Sequence, residues 1–319
     1  MAGRVALTVV AAALVGACGD DSGSSGAVEL VVADATLGGA APVVIGATGD
    51  LLFWTVSTGG TSLVAGSSLA ALPAQGQQLA TATGPAAHAG DYVMFAAADQ
   101  TISRVGLDGA VQRITNADPD MLAGGQGTAP VVAWSVGPVV SWGSDDAQMT
   151  ATFTRIDRCD HARVTAQQIY VAADGTSGRR LLRIDQRSAE VTPITASSTW
   201  APMFPGGGMN GASYRGRIVS ADDDGALWLV EEMPSNRGIV VLVPMQGEAS
   251  VLLEHVSGAT GFFASAEALY WQEGDALLTA PRTGGTASIV ASVQGRADAF
   301  AAGYVYLTDG AAIRRLRVE

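Results

Sequence analysis

The sequence contains no lysine, since all 18 basic residues are arginine, and it has only two cysteines and three histidines. The absence of lysine excludes pyridoxal Schiff bases, lysine nucleophiles and lysine-bearing phosphate loops. Neither a His-Glu-x-x-His zinc motif nor a Gly-x-Ser-x-Gly nucleophile elbow occurs. The usual catalytic constellations are therefore missing, and we expect no cofactor and no metal.

Charge is also scarce. Only 15% of the 319 residues are charged, and the formal net charge of -12 argues against binding to the phosphates of a nucleic acid. The hydrophobic fraction of 48% is enough to bury a substantial core. The 40 glycines and the lack of long amphipathic helices favour an all-β fold of short strands joined by turns.

The N-terminus has the features of an export signal. Arg4 precedes an apolar run over residues 5–17, which is too short to span a bilayer comfortably. The junction Leu-Val-Gly-Ala-Cys at residues 14–18 resembles the bacterial lipobox. The resemblance implies that residues 1–17 are a lipoprotein signal peptide and that Cys18 receives acyl chains, which would attach the protein to a membrane. An ordinary signal peptide followed by a chance cysteine is the alternative.

Residues 18–27 comprise this cysteine and a small, polar, Gly/Ser-rich stretch that is typical of a flexible tether. In lipoproteins of enteric type, aspartate directly after the cysteine signals retention in the inner membrane. Gly19 stands at that position here. By resemblance we therefore expect a location in the cell envelope, with the outer membrane or cell surface favoured over the inner membrane.

An internal repeat follows the tether. The stretch EALYWQEGDALLTAPRTGG at residues 267–285 has relatives that begin near residues 50, 91, 137, 167, 216 and 303. Each relative belongs to a unit of about four short strands separated by turns. Such a sheet cannot bury both faces alone, so neighbouring sheets must stack on one another, and radial closure protects their edges. The sequence therefore predicts a β-propeller of four-stranded antiparallel blades over residues 28–319.

The motifs Ala-Leu-Tyr-Trp and Ala-Pro-Arg-Thr-Gly-Gly resemble the YWTD and PQQ-quinoprotein-like propeller superfamilies, a resemblance of fold and not of catalysis. We expect seven blades. Six or eight are the alternatives, because residues 158–166, which separate two of the repeats, are too few for both an outer and an inner strand. The last repeat ends with residues 311–319, which supply a third strand but no fourth. The strand-like segment at residues 28–37 can supply it, so we expect the N- and C-terminal strands to pair and close the ring.

Acidic residues recur in the turns that we assign between the second and third strands of the blades. Because such turns share one face of a propeller, these residues could form an acidic binding face for a cation or a basic partner. The alternative is ordinary turn chemistry, which favours Asp-Gly. The candidates are Asp145, Asp146, Asp174, Asp222, Asp223, Asp224, Asp275 and Asp309.

The innermost strands offer four polar candidates for the lining of the central channel: His88, Arg163, Asn210 and Asp298. They are chemically diverse, and the neighbouring residues are mainly Ala, Gly and Ser. We therefore favour a non-catalytic binding or scaffold module for an unidentified envelope partner. A propeller enzyme of lactonase-like or quinoprotein-like type, with its site at the channel, is the alternative. With Cys18 acylated, Cys159 has no disulfide partner within the chain.

Overall fold

A computed structural model describes residues 27–125, 131–144, 147–175, 179–196, 200–209, 212–222, 224–246 and 248–319. These residues form seven four-stranded antiparallel sheets. The expected seven-bladed β-propeller is confirmed. Among the described residues, no helix is both long and apolar enough to cross a membrane.

The first three blades follow one another along the chain, and their strands are numbered from the channel outward. Blade 1 comprises β2 (Pro42–Ala47), β3 (Leu51–Ser57), β4 (Ser62–Ser68) and β5 (Gln77–Ala82). Blade 2 comprises β6 (Ala86–Ala89), β7 (Tyr92–Ala97), β8 (Thr101–Val105) and β9 (Val111–Asn116). Blade 3 comprises β10 (Met121–Gly124), β11 (Val132–Val136), β12 (Val139–Ser144) and β13 (Ala147–Thr152).

The next three blades repeat this order. Blade 4 comprises β14 (Ile156–Val164), β15 (Gln168–Gly175), β16 (Arg180–Asp185) and β17 (Val191–Ala196). Blade 5 comprises β18 (Ser213–Asp222), β19 (Gly225–Met233), β20 (Arg237–Pro244) and β21 (Ser250–Ser257). Blade 6 comprises β22 (Phe262–Ala264), β23 (Ala268–Glu273), β24 (Ala276–Pro281) and β25 (Ser288–Ser292). A 3-10 turn, Ala201–Met203, lies between blades 4 and 5.

Blade 7 contains both ends of the described chain. It comprises β26 (Arg296–Ala301), β27 (Tyr304–Asp309), β28 (Ala312–Arg317) and, as its outermost strand, β1 (Val28–Val32). β1 pairs antiparallel with β28, so the expected closure by the terminal strands is confirmed. Val31 and Val32 are buried at this junction. The indole of Trp54 in blade 1 donates a hydrogen bond to the carbonyl of Ala35, 2.9 Å away.

The hydrophobic core is divided among the blade interfaces. Seven clusters of buried apolar side chains fall one between each pair of neighbouring blades. The second strands are continuously apolar, because both faces of each sheet pack on neighbours; β19, for example, is buried over its first six residues. Outer strands such as β9 are exposed and polar. This gradient explains why the second strands gave the clearest repeat in the sequence.

Two strand assignments made from the sequence are wrong. The segment from Gly137 leads into β12, which is the third strand of blade 3, because residues 132–136 already form the second. The segment from Gly216 lies in β18, the first strand of blade 5. Both errors arose because each segment contains a short apolar run before an acidic turn, residues 139–140 in β12 and residues 218–219 in β18, and such a run also marks the second strands elsewhere.

Candidate functional site in the central channel

The innermost strands of all seven blades line a central cavity of about 500 Å³. Its wall is built mainly from alanine and glycine, with a few larger apolar side chains such as Ile45 and Phe263. Small residues are needed here because the inner strands approach each other closely. A Cβ on Gly46 of blade 1 would lie 2.3 Å from the imidazole of His88 in blade 2.

Three of the four channel candidates line this cavity: His88, Arg163 and Asp298. They come from blades 2, 4 and 7, and among the described residues no hydrogen bond or ion pair joins any two of them. Asn210 lies outside the described residues. The three side chains differ in what surrounds them, and each has to be considered separately.

Arg163 lines the cavity near the end of β14 and is exposed. Its one hydrogen bond within the described chain is a 3.3 Å contact from Nη1 to the carbonyl of Ala162. No carboxylate of the described residues lies within salt-bridge distance. The protein that encloses the cavity desolvates the guanidinium and lowers its pKa, and the charge of Arg217 lowers it further.

Arg217 and His161 lie close to Arg163. Arg217, on β18, donates a 2.7 Å hydrogen bond to the carbonyl of Ala259 in the connection to blade 6. Burial lowers the pKa of His161 to about 3, with further contributions from Arg163, Arg179 and Arg217. The imidazole is therefore neutral at neutral pH. Two cations and an uncharged histidine meet at the inner side of the blade 4–5 junction.

Asp298 is the carboxylate of the channel lining, and its side chain is only 4% exposed. One oxygen accepts a 2.5 Å bond from Nε of Arg296. The other accepts bonds from the hydroxyl of Thr308 and, at 3.2 Å, from the backbone N–H of Val44 in blade 1. Its acceptor capacity is used within the protein, and it connects the last blade to the first.

His88 is buried between the inner strands of blades 1 and 3. Its ring centroid lies 5.7 Å from that of Phe53, and burial lowers its pKa, so the imidazole is neutral at neutral pH. Nε2 has no hydrogen-bond partner among the described residues. His88 is therefore a neutral side chain of the cavity wall whose unpartnered ring nitrogen is buried.

The turns divide the acidic candidates between two faces. We call the end of the channel with the turns between second and third strands the upper face, and the opposite end the lower face. Asp174, Asp275 and Asp309 belong to the upper face. Asp222 and Asp224 flank the turn between the first and second strands of blade 5, on the lower face. The expectation of a single acidic face is therefore wrong for this turn.

Several of these carboxylates are already paired with arginine. Asp174 lies 3.1 Å from Arg179, and Asp309 lies 3.3 Å from Arg314. On the lower face Asp222 pairs with Arg282, which follows the third strand of blade 6. Asp145, Asp146 and Asp223 lie outside the described residues, as does Cys18. Within the described ranges no three His, Cys, Asp or Glu side chains are grouped to hold a metal ion.

Asp160 and Arg179 join blades 4 and 5, and neither residue was among the candidates from the sequence. Arg179 donates to Asp160 at 2.7 Å and, through Nε, to the carbonyl of Gly216 at 2.8 Å. Asp160 occupies a bulge in β14 that matches the bulge at Asp298 in β26. Aligning Cys-Asp-His-Ala with Ala-Asp-Ala-Phe would have revealed this correspondence. Cys159 is buried and free, and burial raises the pKa of its thiol to about 12.

Solved structures of several different kinds of protein have a fold similar to that of this chain. A catalytically inactive virginiamycin B lyase from Staphylococcus aureus, solved with quinupristin, aligns with TM-score 0.60 and 11% identity over 90% of this chain and 98% of that chain. Oligogalacturonate lyase in complex with manganese gives 0.57 and 10% over 85% and 86%. BamB from Moraxella catarrhalis gives 0.50 and 13% over 86% and 85%.

These similarities show the fold alone, because sequence identity is low in each case. No protein-family model matches the chain, and no curated protein matches it. A propeller can carry catalysis or binding, so the function has to be argued from the residues of this chain.

Proposed function

We propose that this chain is a lipid-anchored β-propeller of the cell envelope, at the outer membrane or cell surface, that acts as a non-catalytic binding or scaffold module. The observation that carries the proposal is that charged side chains connect neighbouring blades. Asp298 connects blades 7 and 1, Arg179 connects blades 4 and 5, and Arg217 connects blades 5 and 6. These groups hold the ring together and do not converge on a common reaction centre.

The entry of the chain into the fold agrees with an anchor at Cys18. Val28 pairs with Leu316 at the end of β28, which places the start of β1 near the lower face at the rim of blade 7. A ten-residue tether over 18–27 spans at most about 33–36 Å when extended. We therefore propose that the lower face is the one nearer the membrane and that the upper face is directed toward a partner.

The anchor is tested by intact-protein mass spectrometry combined with membrane fractionation of the wild type and Cys18→Ala. We expect a wild-type mass that begins at Cys18 and includes acyl chains, found in the membrane fraction. We expect the variant to be unprocessed or lost from that fraction. A soluble, unacylated wild-type protein would overturn the anchor.

The scaffold role is tested by photo-cross-linking from two exposed turn alanines on opposite faces. Ala311 lies between the second and third strands of blade 7, and Ala266 lies between the first and second strands of blade 6. A photoreactive residue at Ala311 should give a discrete protein adduct in envelope membranes, and one at Ala266 should give none. The reverse pattern, or no adduct from either position, would contradict the proposed upper-face partner.

A further inference from the structure

Arg163 and the neighbouring Arg217 differ from the paired arginines of the fold, because neither has a carboxylate of the described residues within salt-bridge distance, and Arg163 is the one that lines the cavity. Arg179, Arg237, Arg282, Arg296 and Arg315 each have a carboxylate within 3.1 Å. An arginine that only joins structural elements is expected to have such a partner, because an uncompensated charge surrounded by protein is costly. The described chain supplies none for Arg163.

The surroundings of Arg163 are positive. The charge of Arg217 lowers the pKa of Arg163, and His161, whose pKa both arginines lower, stays neutral. No carboxylate of the described residues forms an ion pair with Arg163, and Asp298 of the cavity wall is engaged with Arg296, Thr308 and Val44. A bound anion would relieve the repulsion between the two arginines and supply the acceptors that the guanidinium lacks. The planar fork of arginine suits the two oxygens of a carboxylate.

The remainder of the cavity wall indicates what the anion would be attached to. Larger apolar side chains from six blades contribute to it, including Ile45, Leu122, Val219, Phe263 and Phe300. The volume of about 500 Å³ lies within the range of small-molecule sites. The wall exposes both polar and apolar atoms, so a bare inorganic ion would leave its apolar part uncovered. A ligand with a ring-sized apolar body would cover that part.

We propose that the central channel binds a small organic carboxylate, with its carboxylate on Arg163 and its apolar body against the alanine-rich wall and the phenylalanines. This site is independent of the anchor at Cys18 and of a partner on the upper face. It adds a small-molecule function to the scaffold and requires no covalent step.

The proposal is tested by calorimetric titration with three probes: 2-naphthoate, the matched neutral 2-naphthamide, and inorganic phosphate. We expect the wild type to bind 2-naphthoate more tightly than 2-naphthamide and to bind phosphate weakly. Arg163→Gln should weaken the binding of 2-naphthoate by roughly 10- to 100-fold, as expected for loss of a charge-assisted hydrogen-bonded pair, and leave that of 2-naphthamide unchanged.

Two further variants keep the test specific. Arg113→Gln removes an exposed arginine on the outer strand β9 and should leave the binding of all three probes unchanged. Phe263→Ala should weaken the binding of 2-naphthoate and 2-naphthamide alike, because it removes apolar contact and no charge. If Arg163→Gln fails to fold by circular dichroism, Arg163→Lys takes its place; it retains the charge but loses the fork, and should bind 2-naphthoate more weakly than the wild type.

Several results would overturn the proposal. Equal affinity of the wild type for 2-naphthoate and 2-naphthamide would show that the charge is not recognised. Unchanged 2-naphthoate binding in a folded Arg163 variant would place any binding elsewhere. Phosphate binding as tight as that of 2-naphthoate would identify a site for inorganic oxyanions instead.

Discussion

Blades 4 and 7 carry an aspartate at the same bulge of the innermost strand, but they use it differently. In blade 7, Asp298 accepts hydrogen bonds from Arg296, Thr308 and the backbone of Val44. In blade 4, one oxygen of Asp160 pairs with Arg179, and the other has no partner among the described residues. The first junction is fully satisfied and closes the ring. The second retains unsatisfied polar atoms, Oδ1 of Asp160 and Nδ1 of His161, on the strand that also carries Arg163, and binding sites often retain such atoms.

Asp298→Ala is the substitution that we expect to reduce the free energy of unfolding most. The substitution leaves the hydroxyl of Thr308 and the N–H of Val44 without their acceptor at the junction that closes the propeller. We expect the free energy of unfolding to fall by about 2–4 kcal/mol in urea titrations. Asp298→Asn, which keeps an acceptor oxygen, should cost less. An alanine variant as stable as the wild type would show that the carboxylate does not support closure.

A smaller loss of unfolding free energy is expected when the junction between blades 4 and 5 is weakened at Arg179. Arg179→Gln removes the ion pairs to Asp160 and Asp174 and the bond to the carbonyl of Gly216. Because these carboxylates are partly exposed, we expect a loss of about 1–2 kcal/mol by urea unfolding. A loss larger than that of Asp298→Ala would reverse the proposed order of the two junctions.

The neutral His161 of blade 4 makes the free energy of unfolding depend on pH. The pKa of His161 is lowered to about 3 in the folded chain, so between pH 6.5 and 3 the unfolded state binds more protons. This residue therefore makes stability fall as pH falls through that window. His161→Gln should reduce the slope of unfolding free energy against pH by up to about 1.4 kcal/mol per pH unit. A slope in the variant equal to that of the wild type would contradict the lowered pKa of His161.

The smallest effect on stability is expected at Arg163 itself. Because Arg163 has no carboxylate partner among the described residues and is repelled by Arg217, Arg163→Gln should change the free energy of unfolding by less than about 0.5 kcal/mol. Urea titrations beside Arg179→Gln provide the matched comparison. A loss equal to that of Arg179→Gln would mean that Arg163 has a structural role.

The architecture was predictable because the second strands of the blades have similar sequences that recur along the chain. Their continuous apolar runs reflect burial on both faces, and the missing fourth strand of the last repeat indicated that residues 28–37 close the ring. The errors at Gly137 and Gly216 have the same origin. Inner, second and third strands can all be apolar, and a one-strand shift moves a turn to the opposite face.

The site was predictable only in part. Inner-strand position was enough to place His88, Arg163 and Asp298 at the channel, because every first strand of a propeller faces it. Sequence could not show that Asp298 is engaged by Thr308 and Val44, since those contacts depend on the bulge and on the approach of blade 1. Nor could the sequence show that Arg163 lacks a carboxylate partner. In the fold, Asp160 forms its ion pair with Arg179, which lies beyond the next strand in the sequence.

The most direct test of this division between a structural and a binding junction is urea unfolding of the wild type and Arg163→Gln with and without 2-naphthoate. At a ligand concentration 100 times the wild-type dissociation constant, the account predicts about 2.7 kcal/mol of added stability for the wild type and much less for the variant. Equal stabilisation of both proteins, or of neither, would contradict it.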